Sequence, residues 1–161
     1  MIMIHYRLLQ EQDCKLVLEL MGRHPLQFPG FVQRLYPERW DLYLQHKDDA
    51  KYWVAVRDTE DVVGHAGYIW NSDLKRYEIV GVVVSPFYQR QGIGAGILDA
   101  VCAGIRDRGH FTAVLFTLGH PGNEGTLNFY KRLGYQQTRY ELNYFAEGYS
   151  RVGFERTLLS T

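Results

Sequence analysis

The stretch EIVGVVVSPFYQRQGIGAG, residues 78–96, joins an almost unbroken β-branched run to a glycine-bearing helix start, and this junction constrains the fold more than any other feature. A continuous valine-rich run favours an extended strand buried on both faces. Between residues 92 and 108, Ile93, Ile97, Leu98, Val101 and Ile105 recur on one helical stripe, and residues 112–118 return to β-rich composition. A strand, a helix and a second strand in that order place the two strands parallel through a right-handed crossover.

The remaining segments fit around this unit. Residues 2–8 read as a first strand, and residues 13–21 carry Leu16, Val17, Leu20 and Met21 at helical spacing. Residues 23–45 hold Phe28, Phe31, Tyr36, Trp40 and Tyr43 and are expected to form short helical pieces broken at Pro25, Pro29 and Pro37. Runs at 52–57 and 62–70 flank the turn signal Asp58-Thr59-Glu60-Asp61, and with 76–84 they form an antiparallel meander. Residues 126–133 predict a short helix closed by Gly134, and the runs 135–142 and 151–159 a terminal hairpin. The fold class expected is mixed α+β, in one domain spanning residues 1–161.

Composition narrows the function. At 161 residues, with 46% hydrophobic and 22% charged, the chain suits one globular core. Lys plus Arg (18) equals Asp plus Glu (18), so the broad basic footprint of a nucleic-acid binder is absent and no nucleic-acid partner is expected. The opening MIMIHYRLL carries His5 and Arg7, lacks a small-residue cleavage site, and no segment reaches 18 apolar residues. A cytoplasmic protein with no membrane partner is therefore expected. Cys14 and Cys102 form no CxxC pair and no zinc-ligand spacing, so both are expected reduced and buried, with no metal. His65, His110 and His120 form no triad or ligand set and are assigned to surface or satisfied core.

The chemistry sits where the valine run meets the helix. Gly92 and Gly94 carry no side chain to obstruct a ligand, and the amides of Gln91 to Ala95 occupy a first helical turn that lacks intrahelical acceptors. The helix dipole adds roughly half a positive charge there and Arg90 a full one, which suits a pyrophosphate. A glycine-rich helix start also serves plain turns and close packing. Competing phosphate motifs fail: Ile97 stands where GxGxxG requires its last glycine, and no GK[ST] follows.

These residues carry a resemblance. Gln89-Arg90-Gln91-Gly92-Ile93-Gly94 is similar to the (Q/R)xxGx(G/A) signature of the GNAT N-acetyltransferase family, and VVVSP before it resembles that family's fourth strand. Downstream, Asn123, Phe129, Tyr130, Lys131, Leu133, Gly134 and Tyr135 resemble its second motif, NxxAxxFYxKLGF, with Thr126 in place of the usual alanine. The resemblance covers about residues 50–160. It implies a mixed, mostly antiparallel sheet of six to seven strands flanked by helices, with the fourth and fifth strands parallel and splayed. It also implies acetyl-CoA as cosubstrate. The pantetheine arm would run along Val82, Val83 and Val84, the pyrophosphate would lie on Gln89, Arg90, Gln91, Gly92, Ile93, Gly94 and Ala95, and Asn123 would meet the cofactor near the next helix. The glycine-bearing loop 120–125 puts the aim of Asn123 in question.

Acetyl transfer to an amine needs the neutral amine, whereas a lysine-like ammonium has a reference pKa near 10.4. Glu78, in the place of the catalytic glutamate of the family's histone-modifying branch, is the candidate base; a solvated strand glutamate and a water relay are the alternatives. Tyr130 matches the family's general-acid tyrosine, which would protonate the departing thiolate. The aromatics of 28–43, with Tyr140, Tyr144 and Phe145, are candidates to line an acceptor pocket, or else pack the core or a homodimer seam. Glu38, Asp41, Glu141 and Glu147 are candidate carboxylates for the amine. The competing reading is a non-catalytic acyl-CoA sensor or scaffold that keeps the cradle and lacks turnover.

Overall fold

A computed structural model of the chain describes residues 3–58 and 61–158. Among these residues, the β-branched and aromatic runs become seven strands of one sheet: β1 (Ile4–Leu8), β2 (Ala50–Arg57), β3 (Val62–Asn71), β4 (Arg76–Val84), β5 (Thr112–Gly119), β6 (Gln136–Ala146) and β7 (Tyr149–Thr157). Their order is β1-β2-β3-β4-β5-β7-β6, so β7 lies between β5 and β6. Every neighbouring pair is antiparallel except β4 and β5, which the crossover makes parallel. This is the expected α+β class. Ile2, Leu159 and the turn residues Thr59 and Glu60 lie outside the described residues.

The helices α1 (Cys14–Gly22), α2 (Gly30–Gln33), α3 (Tyr36–Leu44), α4 (Ile93–Asp107) and α5 (Glu124–Arg132) complete the chain. The apolar stripe of α4 packs with Ala55, Ala66, Tyr68, Ile79, Leu115 and Phe154 in one core cluster. Val17, Leu20 and Met21 of α1 and Tyr36 and Trp40 of α3 share a second cluster with Tyr52, Val54, Val80 and Val83. Each fully buried aliphatic or aromatic side chain of this kind contributes about 1.5–3 kcal/mol. Both α4 and α5 end in a left-handed glycine. Gly109 (φ 81°) donates to Arg106 and His110 to Ile105; Gly134 (φ 92°) donates to Lys131 and Tyr135 to Tyr130, the paired bonds of a Schellman cap.

Two expectations are corrected. Pro37 does not break a helix; it sits in the first turn of α3, where its missing N–H has no intrahelical partner to lose. Cys102 is buried, with its Sγ 3.5 Å from the Tyr135 hydroxyl, but Cys14 is only half-buried, at the start of α1. Of the two alternatives expected for His65, surface or satisfied core, it takes the second, buried between the indole of Trp40 and the backbone of Gly81.

Gly81 is a bulge in β4. The pairing with β3 runs His65 to Val83 and then Gly67 to Val80, so β4 carries an extra residue between them. Gly81 takes φ 68°, open to glycine, and a Cβ there would lie 2.8 Å from His65 Cε1. The bulge inverts the side-chain phase. Ile79 faces the α4 core and Val80 the α1/α3 core, yet beyond Gly81 it is Val82 and Val84 that pack on the α4 side and Val83 on the other.

Candidate active site

β4 and β5 pair at Tyr77–Ala113, Glu78–Val114 and Ile79–Leu115, and then separate. Past that point β4 continues to Val84 with β3 as its only strand partner, while β5 continues to Gly119 paired with β7. The facing edges beyond Ile79 and Leu115 therefore border an opening instead of each other. A cavity of about 1120 Å³ fills it, lined by both strand edges, the loop before α4, one side of α5 and the segment from His24 to Arg39.

The loop after β4 is shaped locally. Ser85 accepts the amide of Phe87 on its side chain (3.4 Å) and that of Tyr88 on its carbonyl (2.9 Å), closing the short turn Pro86–Tyr88. Arg90 (φ 65°) and Gly92 (φ 78°) both take left-handed backbone and swing the chain into α4. The first bond of the helix runs from Gly96 to the Gly92 carbonyl at 2.9 Å, and the N–H groups of Gly92, Ile93, Gly94 and Ala95 have no acceptor among the described residues. Such a set of amides at a helix start, beside Arg90, has the geometry and the charge that suit an anion. The two signature glycines differ in role. A Cβ on Gly92 would meet open space, whereas one on Gly94 would lie 2.9 Å from Phe129 Cζ, so Gly94 also seats α5 against α4.

Of the cofactor residues singled out from the sequence, Val82, Val83, Val84, Gln89, Arg90, Gly92, Ile93, Gly94 and Ala95 line the cavity; Gln91, which is exposed, and Asn123 do not. Asn123 is 1% exposed and its amide is engaged within the protein. It donates to the Leu118 carbonyl (2.7 Å) and to Thr117 Oγ1 (3.2 Å), and accepts from Gln27 Nε2 (2.7 Å), tying the end of β5 to the segment after α1.

Glu78 and Tyr130 line the same cavity from β4 and α5. Burial pushes the Glu78 carboxyl above the usual carboxylate range, against the opposing pull of an Asn71 amide bond (3.0 Å) and of Arg39 and Arg151. Burial also pushes the Tyr130 phenol well above its ordinary value. Its ring packs against Phe129, Tyr135 and Phe154, so the side chain is positioned from behind. On the facing segment Tyr36, with its phenol pushed up to about 12 by burial, lines the cavity too.

The acceptor side differs from expectation. Phe28, Phe31, Tyr36 and Phe145 line the cavity, but Trp40 and Tyr43 pack in the core and Tyr140 and Tyr144 are exposed on β6. Glu38, Asp41, Glu141 and Glu147 stand outside it; Glu141 is held by Arg151 at 2.9 Å and Asp41 by Gln45 at 2.9 Å. Two contributors were not singled out from the sequence, and a third, His65, was expected there only as a surface or satisfied core residue. His24 donates from Nε2 to the Val84 carbonyl (2.9 Å), Arg39 lines the wall near Glu78, and His65 bonds the Gly81 carbonyl (2.7 Å). Each depends on a contact distant along the chain, and only the isolated histidines gave any local signal. Among the described residues no cluster of three or more His, Cys, Asp or Glu could hold a metal, and no helix is long and apolar enough to cross a membrane.

Comparison with known proteins bears on this geometry. The sequence model of the acetyltransferase (GNAT) family matches residues 18–135. A protein from Desulfovibrio desulfuricans assigned to the GNAT family superposes with TM-score 0.87 at 21% identity, covering 98% of this chain and 100% of its own. An aminoglycoside 6'-N-acetyltransferase complexed with coenzyme A is similar at TM-score 0.76 and 15% identity, over 98% of each chain. A ribosomal-protein alanine N-acetyltransferase from Escherichia coli is similar at TM-score 0.76 and 15% identity, over 99% of this chain and 96% of that one. No curated protein matches the chain. With a family match over most of its length and a splayed parallel strand pair opening on a glycine-loop cradle, the chain belongs to the acetyltransferase (GNAT) family and is an acyltransferase.

Proposed function

We propose that the protein transfers an acetyl group from acetyl-CoA to a primary amine by direct attack in a ternary complex. The observation that carries the reading is the opening between β4 and β5, which has free amides at one end and Glu78 and Tyr130 on its walls. The residues fit coenzyme A. The unpaired edge of Val82 and Val83 offers main-chain hydrogen bonds to an extended pantetheine, and the Gly92 to Ala95 amides with Arg90 suit the pyrophosphate.

In this mechanism Glu78, directly or through water, takes a proton from the substrate ammonium, for which its raised pKa is suited. The neutral nitrogen attacks the thioester carbonyl carbon, the new C–N bond forms, and the C–S bond breaks with its electron pair leaving on sulfur. Tyr130, kept protonated by burial, donates its proton to the thiolate. The acetylated nitrogen sheds its second proton, which restores the Tyr130 hydroxyl, and Glu78 releases the first to solvent, so the products are an N-acetyl amide, free coenzyme A and one proton.

Calorimetry with acetyl-CoA followed by a thiol-release assay over a library of amines tests the reading. Saturable uptake with amine-dependent thiol release is expected. Uptake with no release for any amine would favour a non-catalytic acyl-CoA sensor, and no uptake of any CoA thioester would reject both.

A further inference from the structure

The charge on the cavity wall is lopsided. Among the described residues Glu78 is the sole carboxylate lining it, whereas Arg39, Arg90 and Arg132 all contribute guanidiniums. Arg90 belongs to the loop that forms the anion cradle. Arg39 instead lies on α3, one helical turn after Tyr36, within the aromatic part of the lining that includes Phe28 and Phe31.

The Arg39 guanidinium is half-buried, with its central carbon 5.2 Å from the Tyr36 ring centroid, and it forms no ion pair among the described residues. Tyr36 is held in turn by Trp40, 5.5 Å away between ring centroids, so the arginine stands on packed aromatic structure and not on a free loop. A guanidinium so placed has already lost part of its hydration, and its planar fork matches a carboxylate bidentately. The cavity that Arg39 lines also carries the apolar and aromatic side chains of Phe28, Phe31, Val32, Phe145 and Tyr149.

From this arrangement we infer that the acceptor is a monoamine that also carries a carboxylate, of which an apolar or aromatic α-amino acid is the simplest case. Arg39 grips the carboxylate, the aromatic wall takes the side chain, and the amine lies toward Glu78. The inference rests on the transferase reading and names its substrate class. A polycation fits poorly, because a further ammonium group would face the Arg39 guanidinium, with Glu78 the sole carboxylate among the described lining residues. In the transfer the amino nitrogen gains the acetyl carbon, sulfur gains the proton, and the carboxylate is unchanged, giving an N-acetylamino acid and coenzyme A.

The test is equilibrium binding, so it does not depend on turnover. In buffer with excess coenzyme A, the protein is titrated calorimetrically with phenylalanine and leucine, with their decarboxylated partners phenethylamine and isoamylamine, and with spermidine. The amino acids are expected to bind at least about tenfold tighter than the partner amines, a difference of about 1.4 kcal/mol. Arg39→Met is expected to bring the amino acids to the level of the amines, with acetyl-CoA bound as by wild type. Equal or reversed affinities in the wild type, tighter binding of spermidine, or an undiminished preference in R39M would each overturn the inference. Should R39M not fold, the wild-type ratio decides alone. Failure of acetyl-CoA to bind in a separate titration would strike at the transferase reading, whereas intact acetyl-CoA binding without the carboxylate preference sinks only the substrate class.

Discussion

His65 on β3 donates its Nδ1 proton to the carbonyl oxygen of Gly81 on β4 at 2.7 Å, across the bulge that inverts the phase of the valine strand. The indole N–H of Trp40 reaches the other ring nitrogen at 3.2 Å, which makes that nitrogen an acceptor and leaves the ring neutral with one tautomer. Full burial pulls the His65 pKa from 6.5 down to about 4.

That depression carries a signed prediction. As pH falls below 6.5 the unfolded chain takes up a proton that the fold refuses, so stability is lost from about pH 6.5 downward until the folded pKa is reached. Between pH 7.5 and 4.5 this group should cost about 2–3 kcal/mol at 1.36 kcal/mol per pKa unit. His65→Gln lacks the term, so urea unfolding should show its stability deficit relative to wild type shrinking by about that amount at pH 4.5. A deficit that stays constant with pH would refute the charge account.

Glu78→Gln should lower kcat by about 10²–10⁴. Because only the ionised carboxylate accepts a proton and burial raises its pKa, the wild-type rate should climb with pH through a midpoint above the usual carboxylate range. The variant's profile should lack that limb. A profile superposable on wild type would assign proton removal to water or another group.

Tyr130→Phe removes a hydroxyl and keeps the ring that packs on Tyr135 and Phe154. Turnover is expected to fall about 10²-fold or more, with acetyl-CoA affinity near wild type, since only thiolate departure loses its donor. Unchanged kcat in steady-state assays would remove Tyr130 from the mechanism.

Asn123→Ala leaves the Leu118 carbonyl and the Gln27 amide without their partner. Its expected effect is on stability, about 1–3 kcal/mol for each buried group left unsatisfied, seen as a lower urea midpoint. Acetyl-CoA affinity in the folded variant should change less than about threefold, or about 0.7 kcal/mol. A large loss of affinity at unchanged stability would restore Asn123 as a direct cofactor contact.

Gly94→Ala and Gly92→Ala should separate packing from backbone. The first drives a methyl to 2.9 Å from Phe129 and should displace α5, whereas the second meets no neighbour but must hold φ 78°, at a cost of about 1–2 kcal/mol. Thermal melts of both, with acetyl-CoA titrations, check the distinction.

Patterns that repeat along the chain were readable without coordinates. The valine run before residue 84, the stripe from Ile93 to Ile105 and the short motif ending at Gly134 each specify their own local conformation, and their order requires a parallel pair closed by a right-handed crossover. That is why the α+β class, the meander and the free amides at the start of α4 follow from the sequence. Pro37 misled because a proline forbidden inside a helix is welcome in its first turn, and nothing local says which turn it occupies.

Contacts between distant segments were decided only in three dimensions. That Asn123 would meet Leu118, Thr117 and Gln27, that Phe145 and not Tyr140 would reach the cavity, and that Arg39 and Glu78 would line one cavity depend on how separate elements pack. The bulge at Gly81 is the sharpest case. A glycine among valines reads as a gap in a strand until its φ of 68° and the His65 bond set the direction of Val82 to Val84. Local sequence encodes backbone preference through sterics and periodicity, whereas which side chains converge is a property of long-range packing that no window of sequence contains.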